Sequence, residues 1–294
     1  MKFFKSYKLY ILIILFISLS HAKNIKVNEH QKINFLTEPL PPISYSSPNR
    51  KEIFGIGVDI IGYIAKKVGH SYKAHAKKQG INIMSWQTSY KLIQENDNYA
   101  LFPMLKTKSR EKLFKWVGPI ITLDAYFYRH KNAPNFIKEI TSIEQMNTSK
   151  VKIGVVKGYP THLKMLELGY NNFYTFSRTN DSMSSMRIDR VHFVNNAELL
   201  FPFRVAKMGF KHNDFVNSKI LTFSQGQYIA FSKNTPNHTI NKWQKELDNM
   251  KKNGTYEKIY RKALIQAIEI YNVVPKDEVK YYINRLLKGI QNEK

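Results

Sequence analysis

The sequence predicts an α/β protein made of two units that share a hinge. Its 294 residues are enough for about two domains. Apolar segments of strand length alternate with amphipathic segments of helix length, a pattern typical of α/β units with largely parallel sheets. No low-complexity linker separates the halves, so we expect the chain to pass directly between two lobes.

The first unit opens with a segment predicted to be a buried strand, followed by an amphipathic helix. The helix has apolar residues at Val58, Ile61, Ile64 and Val68, and Gly69 ends it. We expect Gly118-Pro119 to stop a later strand. The predicted elements, in order, are a strand at 31–37, a helix at 58–68, a strand at 71–76, a helix at 86–93, and strands at 99–105, 114–120 and 125–129.

The second unit repeats this alternation and ends in helices. Its clearest strand pattern is the run VKIGVV, which starts at Val151. The predicted elements are a strand at 151–156, a helix at 161–168, a strand at 173–176, a helix at 181–189, a strand at 191–195, a helix at 197–208, strands at 220–223 and 228–231, and helices at 236–252, 256–271 and 276–288.

The first 22 residues have the three parts of a secretory signal peptide. Lys2, Lys5 and Lys8 precede an apolar run at Leu9–Leu19, and Ser20-His21-Ala22 has the small residues of a cleavage site. A membrane anchor is the alternative, but the run is short of the roughly 20 residues that cross a bilayer. We therefore expect cleavage after Ala22 and a periplasmic protein.

Composition excludes several kinds of site. The chain has no cysteine, which rules out disulfides, cysteine nucleophiles, cysteine-ligated zinc and iron–sulfur clusters. The formal charge is +24, yet most basic residues are Lys spread along the chain, so we expect no nucleic-acid partner. A cationic surface favours anionic ligands or the anionic envelope surface.

No catalytic, metal or cofactor motif is present. Gly55-Ile56-Gly57 invites a dinucleotide interpretation, but the next glycine is Gly62 and the spacing fails. A tight turn before a helix, with Asp59 near its positive end, fits better. His70 and His75 are spaced unlike a metal pair. We predict no cofactor and no catalytic residue.

Four segments, in this order, resemble family 3 of the extracytoplasmic solute-binding proteins, the amino-acid type of ABC transporter substrate-binding protein. They correspond to the loop after the first strand, the entry to the first helix, a T-x-x-R-E block followed by F-x-W-V-G-P, and the C-terminal return segment. The segments are Thr37–Tyr45, Gly55–Asp59, Thr107–Ile120, and Tyr228–Lys233 with Trp243, Gln244, Leu247 and Gly254.

This resemblance implies the type II periplasmic-binding fold, with a ligand cleft between two lobes. It places lobe 1 at residues 23–126 and 222–294, and lobe 2 at residues 127–221. Two crossovers form the hinge, and closure buries the ligand. It also implies a membrane permease of an ABC transporter as the partner; we expect a monomer.

The resemblance also implies ligand-binding residues in lobe 1. Arg110 matches the arginine that clamps a ligand carboxylate, for which a planar guanidinium is suited; an ordinary ion pair with Glu111 is the alternative. Thr107 adds a hydroxyl contact or caps the next helix. Tyr45 is an aromatic wall of the cleft or a core residue. Glu38, at a strand end, could meet a cationic ligand group.

In lobe 2 the sequence departs from the amino-acid-binding pattern. Thr161 opens a helix whose backbone N–H groups could bind an anion, or it is part of a plain turn. The family places an aspartate after a later strand to hold the ligand amino group, whereas residues 194–198 contain none. Asn196 and Glu198 are the candidate replacements. Residues 102–105 are apolar where the family has small polar residues, so the ligand class stays open.

The function predicted is solute binding for uptake, without catalysis. One alternative is a periplasmic dehydratase on the same fold, with Glu198 as the general acid. Another is a sensory binding protein that docks on a membrane receptor.

Overall fold

The computed structural model describes residues 33–47, 52–70, 80–148, 150–170, 172–274, 279–280 and 283–284. The predicted signal peptide and the predicted strand at 71–76 lie outside these residues, as does most of the predicted helix at 276–288. No helix in the described part is long and apolar enough to cross a membrane.

Strands and helices alternate as predicted. The strands are β1 (Asn34–Thr37), β2 (Tyr45–Ser46), β3 (Ile53–Phe54), β4 (Ile81–Ile83), β5 (Tyr99–Leu105), β6 (Phe114–His130), β7 (Ile153–Val156), β8 (Phe173–Phe176), β9 (Phe193–Ala197) and β10 (Phe215–Ser232). The helices are α1 (Ile56–Lys67), α2 (Trp86–Glu95), α3 (Lys108–Glu111), α4 (Asn135–Lys138), α5 (Pro160–Glu167), α6 (Thr179–Arg187), α7 (Phe201–Lys207), α8 (Asn237–Lys252) and α9 (Thr255–Tyr271).

The main sheet has eight strands in the order β4-β1-β5-β10-β6-β9-β7-β8. At one end β1 runs parallel to β4 and β5, and at the other β7 runs parallel to β8 and β9. Between them β6 and β10 form a long antiparallel pair. Two parallel α/β units joined by two shared strands confirm the predicted fold class.

The pair β6–β10 corrects the prediction of separate short strands. Gly118-Pro119 does not stop β6, which continues to His130. Helix α8 supplies the missing hydrogen bonds, since Gln244 Oε1 accepts from the Gly118 N–H at 2.9 Å and Lys251 Nζ donates to the Pro119 carbonyl at 2.9 Å. The segments predicted at 220–223 and 228–231 likewise belong to the single strand β10.

Each end of the sheet has its own hydrophobic core. The core of lobe 1 lies between the sheet and helices α1, α8 and α9, around Trp243 and Phe231. Lobe 2 has one core around Phe127 and Phe193, and another around Tyr128 and Phe201. The protein is therefore two-lobed, as predicted.

Helix α7 follows β9 of lobe 2 but contacts both lobes. Its Phe203 is fully buried in the lobe 1 core, and the ring meets Tyr271 of α9 edge-on at 5.8 Å. Phe201 and Val205 of the same helix pack into the core of lobe 2. The helix is consequently held from both sides.

Candidate ligand cleft

A cavity of about 240 Å³, the cleft cavity, lies where strands β7 and β9 of lobe 2 end beside the β6–β10 pair. Lobe 1 contributes Leu105 and the strand pair contributes Leu123, Phe223, Gln225 and Gln227. Lobe 2 provides the rest of the wall, namely Gly154, Val155, Val156, Tyr159, Pro160, Thr161, Thr179, Ser182, Asn195, Asn196, Ala197, Leu200 and Arg204.

A second space of about 540 Å³, the outer cavity, adjoins the first. The loop 39–41 of lobe 1 forms one side of it, and the first turn of α6 with residues of α7 forms the other. Tyr159, Thr179, Leu200 and Arg204 line both spaces. A ligand in the cleft cavity thus lies next to the outer cavity.

A polar network fixes the wall that Thr161 belongs to. The Thr161 hydroxyl donates to Asn195 Oδ1, and Asn195 Nδ2 donates to the Tyr126 carbonyl at 3.1 Å and to Thr222 Oγ1 at 2.7 Å. Thr222 in turn donates to the Ala125 carbonyl at 2.9 Å. These bonds tie the start of α5 to the β6–β10 pair, so the wall is rigidly placed.

Asn196 lies on the same wall and is buried. Its Nδ2 lies 3.7 Å from Met183 Sδ, a weak acceptor. The Ser182 hydroxyl donates to the Thr179 carbonyl at 2.8 Å and can still accept a bond. Thr161 and Asn196, two of the lobe 2 residues that the sequence predicts as ligand-binding, thus line the cleft cavity.

Arg204 is a cavity residue that sequence reasoning missed. It makes no hydrogen bond or ion pair with any other described residue, although it lines both cavities. Burial lowers the pKa of its guanidinium. The electrostatic interactions with Tyr159 and Glu38 act in the opposite direction and raise that pKa. One feature of the sequence could have identified Arg204 as a site residue. It is the single charged residue in the run FPFRVA, which is otherwise apolar and typical of a core helix.

Glu38 follows β1 in lobe 1 and lies near enough to Arg204 for their charges to interact. Burial raises the pKa of the Glu38 carboxyl, and the positive charge of Arg204 opposes that shift. The charges of the two groups interact without an ion pair within 4.0 Å, and Glu38 itself lines neither cavity.

Arg110 stacks on lobe 1 instead of lining either cavity. Its guanidinium lies over the rings of Trp86, at 5.3 Å, and Tyr90, at 5.4 Å. Nη1 donates to the carbonyl of Leu105, a wall residue of the cleft cavity, at 3.3 Å. Thr107 precedes α3, and its hydroxyl bonds that of Ser109 at 2.9 Å.

The structure places Tyr45 and Glu198 away from both cavities. Tyr45 is 1% exposed in the lobe 1 core, with its ring edge-on to Tyr271 at 5.4 Å. Burial raises the pKa of its hydroxyl, which has no hydrogen-bond partner among the described residues. The Glu198 carboxylate accepts a bond from Asn217 Nδ2 at 3.4 Å.

We expect Tyr45→Phe to leave ligand affinity unchanged. The substitution removes a buried hydroxyl without a partner, so the free energy of unfolding should stay level or rise by about 1 kcal/mol. Urea denaturation and ligand titration of the variant measure both quantities. A loss of affinity would instead place the Tyr45 hydroxyl at the ligand.

The sequence matches the bacterial extracellular solute-binding proteins, family 3, over residues 33–266. No curated protein sequence matches it significantly. Among solved structures, the second substrate-binding domain of GlnP from Lactococcus lactis, in its open conformation, superposes with a TM-score of 0.60 at 18% identity. That match covers 79% of this chain and 95% of the domain.

Two further structures have the same fold. AbpA of Streptococcus pneumoniae, an amino acid ABC transporter substrate-binding protein bound to L-arginine, is 16% identical with a TM-score of 0.62, covering 81% of this chain and 96% of its own. AncCDT-1, an ancestral amino acid-binding protein described as a precursor of cyclohexadienyl dehydratase, is 20% identical with a TM-score of 0.59, covering 80% and 95%. At these identities the likeness shows the fold.

Proposed function

Since the chain belongs to the bacterial extracellular solute-binding proteins of family 3, we propose that it captures a small solute in the cleft cavity by closing its two lobes. The observation that carries the proposal is the composition of the cavity wall, which comes from lobe 1, from lobe 2 and from the two strands that join them. A ligand in such a place contacts both lobes and so stabilises the closed arrangement.

We place the hinge in the middle of the β6–β10 pair. The lobe boundaries expected from the resemblance fall after Tyr126 and Leu221, and these two residues are directly opposite in the ladder. The register is irregular on both sides of Leu221, between Asn217 and Leu221 and between Leu221 and Phe223. Irregular pairing bends strands locally, which suits a hinge.

The proposed ligand contacts come from both lobes. Thr161 and Asn196 act from the lobe 2 wall. From lobe 1 we propose Glu38, Arg110 and Thr107, which line neither cavity; Glu38 reaches the site through its charge interaction with Arg204. Arg110 uses one N–H on the Leu105 carbonyl, and its other donors are available for a carboxylate once the lobes close.

Delivery of the solute to a membrane permease of an ABC transporter is the role we propose. The proteins it resembles structurally include amino acid ABC transporter substrate-binding proteins. Export by the signal peptide and a monomeric state in the periplasm belong to the same proposal.

Binding should compact the protein. A rotation that closes the cleft shortens the molecule, so a saturating ligand is expected to lower the radius of gyration in small-angle X-ray scattering. Ligands can be found by thermal shift, because a compound that binds only the native state raises the melting temperature. A confirmed ligand that leaves the radius of gyration unchanged would contradict closure.

A dehydratase role has one neighbour in its favour, the dehydratase precursor AncCDT-1. The described wall of the cleft cavity contains no carboxylate and no histidine, and Glu198 lies outside it. We therefore propose binding without catalysis. Incubation with prephenate distinguishes the two roles, since turnover would establish the enzyme.

A further inference from the structure

We propose that the solute is an organic acid anion without an ammonium group, and that Arg204 binds its carboxylate from lobe 2. This inference rests on the proposed function and names the chemistry of its ligand.

The charge of the cleft cavity is the first observation. Arg204 is the one side chain with a formal charge among the described residues of its wall, which is otherwise apolar, hydroxyl or amide. A site lined in this way offers a full counter-charge to an anion and none to a cation.

The guanidinium of Arg204 is also held in place without a hydrogen-bond or ion-pair partner among the described residues. Phe203 and Val205, its neighbours in α7, are anchored in the cores of lobe 1 and lobe 2. No described residue takes a hydrogen bond from the guanidinium. A partly buried guanidinium whose N–H groups have no acceptor is costly, and an incoming carboxylate, which can accept two parallel N–H bonds, would compensate that cost.

Two helices point their first turns at the same cavity. Helix α5 enters its wall with Pro160 and Thr161, and α6 does so with Thr179 and Ser182. The N–H groups at helix starts carry partial positive charge that favours anions. Asp181, also in the first turn of α6, lies on the outer cavity, where Arg178 neutralises it through bonds of 3.0 and 3.2 Å.

The cavity also fits the body of a small organic acid. Its volume of about 240 Å³ is bounded by Leu105, Leu123, Val155, Leu200 and Phe223. An α-amino acid placed with its carboxylate on Arg204 would bring its ammonium group against a wall that holds no carboxylate. The ammonium group would lose hydration without gaining a counter-charge, which favours the acid that lacks it.

Glu38 makes the two ligand classes distinguishable. Its carboxylate competes with a ligand anion for the charge of Arg204, so Glu38→Gln should tighten binding of an organic acid. If the solute carried an ammonium group that Glu38 held, the same substitution would weaken binding. The two classes give opposite signs.

Calorimetry with matched pairs of 2-oxo acids and 2-amino acids tests the ligand class. The pairs are pyruvate and alanine, 4-methyl-2-oxopentanoate and leucine, phenylpyruvate and phenylalanine, and 2-oxoglutarate and glutamate. We expect at least one oxo acid to bind, and to bind more than tenfold tighter than its amino acid. Tighter binding of the amino acids would overturn the inference.

Variants then test the residue with the tightest oxo acid. Arg204→Gln should weaken binding on the order of 30-fold or more, and Arg204→Lys should recover part of the loss. Arg187→Gln is the matched control, because it removes the same charge from lobe 2 where the guanidinium lies over Phe210 at 4.6 Å. Equal effects of Arg204→Gln and Arg187→Gln would assign the loss to general charge. If Arg204→Gln fails to fold, the sign of the Glu38→Gln effect decides.

Failure of this inference is separable from failure of the proposed function. If no oxo acid binds while sugars, polyamines or amino acids compact the protein in scattering, the ligand class is wrong and the solute-binding function stands. If no compound of any class compacts the protein, both fall.

Discussion

Gly55→Ala is expected to lower the free energy of unfolding by on the order of 3–5 kcal/mol, a large effect for one methyl group. Gly55 has φ 134° and ψ 163°, a conformation that only glycine adopts readily. A Cβ atom there would lie 2.3 Å from the Ile43 carbonyl oxygen, which itself accepts the Gly57 N–H at 3.0 Å. Lobe 1 would have to separate the 41–44 turn from the start of α1 to accept alanine.

Gly209→Ala is the matched control for this prediction. Gly209 also has a positive φ, of 72°, but a Cβ there has no neighbour within 4 Å. Gly209→Ala should therefore lower the free energy of unfolding only by the cost of the left-handed backbone conformation, about 1 kcal/mol. Urea denaturation of both variants measures the difference. Equal losses of stability in the two variants would show that the backbone near Ile43 moves away from the new Cβ atom at no cost in free energy.

Local pattern was enough to predict most of the sheet. β5 and β8 begin and end at the predicted residues, 99–105 and 173–176, because short apolar or aromatic runs there are bounded by polar or turn residues. The sequence pattern predicted two strands in place of the single strand β6, because Gly118-Pro119 is locally a strand breaker. What keeps it continuous is Gln244, 126 residues away in the chain, which no local pattern contains.

The candidate site was predictable only in part, for a related reason. Thr161 lies in the helix that follows β7, and Asn196 is the last residue but one of β9. The carboxyl ends of these parallel strands meet at one edge of the sheet, where the cavity is. Arg204 lies within a helix whose apolar residues indicate a core helix. Its exposure to the cavity depends on α7 docking between two lobes, a tertiary arrangement that sequence spacing does not encode.

Because α7 packs against both lobes and also lines the cavities, it connects the proposed ligand site with the arrangement of the lobes. Phe203 packs into the core of lobe 1 and Phe201 into a core of lobe 2, and Arg204, the residue after Phe203, borders both cavities. The two phenylalanines are of equal size and similarly buried. Phe201 stacks on Tyr128 of its own lobe at 3.6 Å, whereas Phe203 meets Tyr271 of the other lobe. Substituting each in turn separates the stability of lobe 2 from the docking of the lobes.

Phe203→Ala is expected to cost about 3–5 kcal/mol of stability and to let the lobes move apart. The substitution leaves a cavity in the lobe 1 core and removes the edge-on contact with Tyr271, so the ligand-free protein should show a larger radius of gyration in scattering. Phe201→Ala should cost a similar amount by denaturation but leave the radius of gyration unchanged, because its contacts lie within lobe 2. An equal expansion in both variants, or none in Phe203→Ala, would show that Phe203 does not hold the lobes together.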